Sequence, residues 1–213
     1  MSGRRLAVAV LAVLSLAIGA VAQKNELAVM VGRTFVSGSD ITNAPLPPPF
    51  TNNRVNFGRG MTFQANYGRH LRTTDLLGIT FEVPFTIIPD TDLNSSNSQL
   101  VPKSYRAYFV TPGVRLNLFP ATAFSPFASI GGGIGHFTTA DQTVFNVIPN
   151  PGQRGNTTGV LQFGAGIDVR FFHGLGLRGE VRDLYSGLPN LNVQLHRGRQ
   201  HNVAIQGGVV FHF

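Results

Sequence analysis

The sequence predicts an all-β fold: a closed antiparallel up-and-down transmembrane β-barrel of about eight strands. Three observations carry this. Polar and apolar residues alternate with a period of two over long stretches, the mark of strands with two different faces. Long and short connections alternate along the chain, as they do when successive links lie at opposite ends of a barrel. Only 13% of the 213 residues are charged, yet no stretch beyond residue 22 is long and apolar enough for a membrane helix.

The first element is a leader. The chain opens Met-Ser-Gly-Arg-Arg, runs apolar from Leu6 to Ile18, and continues Gly19-Ala-Val-Ala-Gln23. A basic start, a short apolar run and a small-x-small end describe a signal peptide, here residues 1–22 with cleavage after Ala22. The run is too short for a membrane span, which takes about 20 apolar residues. Residues 23–213 then form one barrel domain. The chain has no cysteine, which excludes disulfides, thiolate metal sites and a thiol nucleophile. The formal charge is +7, and two of those charges, Arg4 and Arg5, sit in the leader. The remaining basic residues are dispersed, so anionic lipid head groups or polysaccharide are better expected neighbours than nucleic acid.

The clearest strand begins at Asn56. Asn56, Gly58, Gly60, Thr62, Gln64, Asn66, Gly68 and His70 form one face. Phe57, Arg59, Met61, Phe63, Ala65, Tyr67, Arg69 and Leu71 form the other. Arg59 and Arg69 lie ten residues apart, roughly 25 Å along the axis of a tilted barrel, the height of an outer apolar band. Each guanidinium is therefore expected at an opposite head-group layer, with Tyr67 beside Arg69. Leu77–Ile87 and Val203–Phe213 repeat the alternation. Glu26–Val36, Tyr105–Leu118, Pro126–Phe137, Val160–Phe171 and Leu175–Tyr185 complete eight strands. Long links fall near Ser37–Val55, Pro89–Ser104, Thr138–Gly159 and Ser186–Gln200. Short ones fall at Arg72–Leu76, Phe119–Ser125 and Phe172–Gly174. Pro84 and Pro112 fall within strands, and each is expected to cost a ladder hydrogen bond and break pairing locally. Tryptophan is absent, so phenylalanines and the four tyrosines are left to form interfacial girdles.

Three segments carry a resemblance. Pro126-Phe-Ala-Ser-Ile-Gly-Gly-Gly-Ile-Gly-His-Phe137 is a proline-aromatic entry into a glycine-rich strand. Leu175-Gly-Leu-Arg-Gly-Glu-Val-Arg-Asp-Leu-Tyr185 is a charged penultimate strand. Val203-Ala-Ile-Gln-Gly-Gly-Val-Val-Phe-His-Phe213 alternates and closes on phenylalanine. Together they resemble the small eight-stranded outer-membrane β-barrels typified by the membrane domain of outer membrane protein A. The resemblance implies a bacterial outer-membrane location and insertion by the barrel assembly machinery, with Phe211 and Phe213 as the assembly signal.

Strand parity points Glu82, Arg115, Asp168, Arg170, Arg178, Glu180 and Arg182 inward, joined by Gln64, Asn66, Asn117, Gln162 and Gln206. An eight-stranded barrel is filled by its side chains, and charges buried there must pair. The network is thus expected to be a structural plug or, in a second reading, a gate whose ion pairs rearrange. No catalytic motif is evident: His70, His136, His173, His196, His201 and His212 are scattered, and the serines cluster only at Asn94-Ser-Ser-Asn-Ser98. No linear metal-binding motif occurs, and no cofactor is expected. The stiff Pro45-Leu-Pro-Pro-Pro-Phe50 and the apolar Val144-Phe-Asn-Val-Ile148 make loops 37–55 and 138–159 the candidates for an extracellular ligand. The expected function is a structural or surface-interaction barrel, a non-enzymatic monomer that binds outer-membrane lipids and no nucleic acid. The alternatives are a narrow or gated pore for small solutes and a lipid A-modifying enzyme.

Overall fold

A computed structural model describes residues 24–42, 54–95, 101–140, 143–144, 148–149, 153–172 and 174–213. The leader 1–22, the proline-rich stretch 45–50 and residues 145–147 lie outside the described residues. The strands are β1 (Asn25–Val36), β2 (Ser39–Asp40), β3 (Arg54–Phe57), β4 (Gly60–Thr73), β5 (Leu77–Ser95), β6 (Ser104–Val110) and β7 (Gly113–Leu118). They continue with β8 (Phe124–Thr139), β9 (Thr143–Val144), β10 (Ile148–Pro149), β11 (Gly155–Phe172), β12 (Leu175–Gly187) and β13 (Arg199–His212). All pairings are antiparallel. β1 pairs with β4, β4 with β5, β5 with β6 and β7, both of these with β8, and the order continues β11, β12, β13. β13 returns to β1, with Glu26 opposite His212 and Val36 opposite Asn202. Counting β6 and β7 as one interrupted strand, eight strands close the ring.

The period of two sorts the side chains. In β4, Thr62, Gln64 and Asn66 are buried while Met61, Phe63 and Tyr67 are exposed. The same outward apolar set continues around the wall, for example Val29, Phe81, Ile130, Leu161 and Ile205. A continuous apolar surface of this kind is tolerated only in contact with lipid. One end of the barrel carries the short turns. There Thr74 closes a turn through Leu77, its amide donating to the Leu77 carbonyl at 2.9 Å and its hydroxyl accepting from the Leu77 amide at 3.0 Å. At the β11–β12 turn Gly174 takes φ of 82°, a conformation that side chains oppose. The chain termini of the barrel, Asn25 and Phe213, meet at this turn end through two backbone hydrogen bonds of 2.9 Å. The opposite end carries the long connections.

The structure departs from the sequence reading in three places. The strand expected from Asn56 is interrupted at Gly58–Arg59, and its parity flips there: Val55 is buried and Asn56 exposed below the break, Gly60 buried and Met61 exposed above it. Gly58 donates its amide to the Asp92 carbonyl at 2.7 Å, the last contact of the β3–β5 pairing before the break. As a result Phe57 packs edge-on against buried Tyr105, centroids 6.0 Å apart. Next, the link expected from Pro89 begins later, because β5 runs on to Ser95 with a register shift between Ile88 and Thr91 and pairs with β3. Finally, the two in-strand prolines share one interruption rather than making two. Pro84 and Pro112 fall in the gap where β5 exchanges β7 for β6, and the Thr111 amide donates to the Pro84 carbonyl there at 3.3 Å. The register is the same on both sides of the gap, so two missing donors disturb the wall at one place.

The interior has two layers. The loop end is closed by an apolar cluster of Ile88, Tyr105, Phe109, Phe137, Val160 and Leu184, reinforced by Ile41 and Leu191 from the connections. The turn end is polar and charged.

Candidate functional site

Alternation along five strands delivers the interior charges. β1 contributes Glu26, β5 Glu82, β7 Arg115 and β11 Asp168. β12 contributes Arg178, Glu180 and Arg182, whose spacing of two keeps all three on the inward face. All seven are buried. They form an alternating chain that begins and ends on a carboxylate. Asp168 is held by the fork of Arg178, Nε to Oδ1 at 2.6 Å and Nη2 to Oδ2 at 2.9 Å. Arg178 Nη2 also reaches Glu26 Oε1 at 3.0 Å. Arg115 Nη2 stands 2.7 Å from Glu26 Oε2, and its Nη1 stands 3.8 Å from Glu82 Oε2. Arg182 donates to Glu82 Oε1 at 3.1 Å and pairs with both oxygens of Glu180. Neutral groups complete the network. Asn66 donates to Glu82 at 3.0 Å, Gln206 to Glu180 at 3.0 Å and to Gln64 at 2.8 Å. Asn117 donates to Asp168 at 3.2 Å, and Gln162 to Ser129 at 3.2 Å. The Phe127 ring lies under both Arg115 and Arg178, at 5.3 and 5.1 Å, a favourable placement for guanidinium planes.

Below this chain, at the turn end, lies a cavity of about 220 Å³. Glu26, His70, Thr80, Asp168, Arg170 and His212 are among its lining residues. Six of the seven charges that parity pointed inward are in the buried chain. The seventh, Arg170, is exposed at the cavity rim, where its guanidinium donates to the Pro120 carbonyl. Arg170 is still in register with Gly176, and the shift in β11 comes only after it, so it keeps the inward parity and is exposed because it lies at the open end of the lumen. Its place in the chain is taken by Glu26, which the sequence reading passed over. The inward face of β1 also carries Ala28 and Met30, so both faces of that strand look apolar and one acid at its start carries little weight. The signal available was the outward set Leu27, Val29, Val31 and Phe35, which fixes the parity.

The other expected residues fall on the outer wall. Arg59 is exposed near the loop end and stacks over Phe35 at 5.5 Å. Arg69 is exposed near the turn end, and Tyr67 donates its hydroxyl hydrogen to Asn25 Oδ1 at 2.9 Å. Phe211 and Phe213 both project outward. Near the loop end His201 Nδ1 contacts Asp183 Oδ2 at 2.6 Å, with the Tyr185 ring beside it.

No protein-family model and no curated protein sequence matches the chain. Solved structures do. Neisserial surface protein A is similar with a TM-score of 0.53 and 12% identity, covering 90% of this chain and 98% of that one. The outer membrane protein OprG from Pseudomonas aeruginosa is similar with a TM-score of 0.50 and 11% identity, covering 90% and 97%. The chain thus has the fold of the small eight-stranded outer-membrane β-barrels.

Proposed function

We propose that the protein is an integral barrel of the bacterial outer membrane with a structural or surface-interaction role. The leader 1–22 would direct export, the barrel assembly machinery would insert it with Phe211 and Phe213 as its signal, and the turn end would face the periplasm. The apolar outer wall supports the membrane setting, with Arg59 and Arg69 near opposite ends to meet head groups. One observation carries the choice of role. The lumen is filled in two layers, an alternating charge chain at the turn end and an apolar cluster at the loop end. An open aqueous pore requires neither, and a side-chain-filled interior is what a barrel of this size produces. The loops, 37–55 and 138–159 foremost, are then the parts offered to an external ligand.

A gated pore is the second reading, because the one long contact in the chain, 3.8 Å between Arg115 and Glu82, is where ion pairs could exchange partners. Single-channel recording of the purified protein in planar bilayers separates the two. The structural reading predicts no resolvable openings. Reproducible unitary steps that disappear on Arg182→Met would transfer the role to the pore. The histidine–aspartate contact at His201 gives the lipid-modifying reading a place to look, and unchanged lipid A after incubation with the folded barrel is the expected result.

A further inference from the structure

We propose that Glu26, His70 and His212 form a binding site for one divalent transition-metal ion of the zinc class at the turn end of the barrel. The three residues come from β1, β4 and β13. Barrel closure places β4 and β13 on either side of β1, and so brings together two histidines 142 positions apart in sequence. His70 Nε2 lies 3.5 Å and His212 Nε2 3.6 Å from Glu26 Oε2. The three donor atoms all fall within 4.8 Å of one another. Metal–ligand bonds of about 2.1 Å arranged tetrahedrally set their ligand atoms about 3.4 Å apart. The two histidine–carboxylate separations fit such edges. The imidazole rings are stacked, their planes 10° apart and centroids at 5.9 Å, so a turn of one ring about its side-chain torsions is needed to bring both Nε2 lone pairs onto one ion.

One further feature points to a ligand. His70 Nδ1 is 2.9 Å from the Thr80 hydroxyl. A proton on that nitrogen, donated to Thr80, leaves the Nε2 lone pair free for a metal, the outer support that ligating histidines ordinarily have. Glu26, on a fully buried side chain, turns Oε2 toward both imidazoles. Arg178 meanwhile anchors the other carboxylate oxygen at 3.0 Å. Two imidazoles and a carboxylate suit zinc, cobalt or nickel and not magnesium or calcium, which take oxygen ligands. The cavity beside the triad leaves room for water as the fourth ligand. Arg115 opposes the ion, since its Nη2 lies 2.7 Å from the same Oε2. Arg170 on the cavity rim adds a fourth guanidinium against the four buried carboxylates, so the ion must displace Arg115 from Oε2 to bind. A bound ion would tie the first barrel strand to both its neighbours, across the seam where the ring closes.

The probe is Co²⁺, followed by Zn²⁺, added to the untagged barrel refolded in detergent. One equivalent of Co²⁺ is expected to give visible absorption bands of a four- or five-coordinate site, which Zn²⁺ bleaches by displacement. His70→Gln and His212→Gln should each weaken binding more than tenfold, Thr80→Val about tenfold, and the double variant H196Q/H201Q not at all. Zn²⁺ should also raise the unfolding midpoint of the wild-type barrel, and a chelator should reverse the rise. If the histidine variants do not fold, the zinc absorption edge of the wild-type protein reads the ligand set, with two imidazoles expected. No cobalt bands in the folded wild type, binding retained by H70Q/H212Q, or a zinc spectrum without two imidazoles would each overturn the proposal.

Discussion

At the scale of single residues, the interior depends on pairing rather than on the number of charges. Arg178 touches two carboxylates from different strands, so removing its charge strands Asp168 and Glu26 together. Breaking a buried pair by deleting one partner costs about 3–5 kcal/mol. Arg178→Met is therefore expected to lower unfolding stability in lipid vesicles by that amount, read from denaturant titration. Arg170 makes the opposite prediction. It sits exposed at the rim and donates to a backbone carbonyl, and Arg170→Ala should cost less than about 1 kcal/mol. Equal losses in the two variants would contradict the exchange of Arg170 for Glu26 in the chain.

At the scale of elements, the wall tolerates two prolines but not every added side chain. Gly133 of β8 adjoins Ile134, the partner of Val110 at the edge of the proline gap, and a Cβ on it would overlap the Val110 carbonyl oxygen. Backbone cannot yield as a flexible side chain can. Gly133→Val is expected to block barrel formation, seen as loss of the folded species on refolding. Alternation made most of this wall legible in the sequence, because a strand with unlike faces announces its parity. β4 beyond Gly60, β5 up to Ile87, β11 and β13 could be read this way. What stayed illegible had physical reasons. The interruption at Gly58–Arg59 flips parity without changing composition. β1 has apolar residues on both faces near Glu26. β5 extends past Pro89 because a proline can sit where no ladder donor is needed. The meeting of Glu26, His70 and His212 depends on ring closure, and no spacing along the chain encodes it.

At the scale of the whole molecule, two unlike fillings share one lumen. The charge chain satisfies strands that would otherwise bury unpaired groups, and the apolar cluster shuts the loop end. Phe137 sits fully buried in that cluster against Phe109 and Tyr105. Phe137→Ala should cost about 3–5 kcal/mol yet leave the protein without conductance, since the charge chain still occupies the other layer. Outside, the apolar wall requires lipid or detergent, and this is the property on which every other statement rests. Gel migration in detergent before and after boiling tests it most directly. A folded membrane barrel is predicted to migrate as a compact species from the outer-membrane fraction and to shift to its full apparent mass on boiling. Recovery as a soluble protein with identical migration before and after heating would contradict the account.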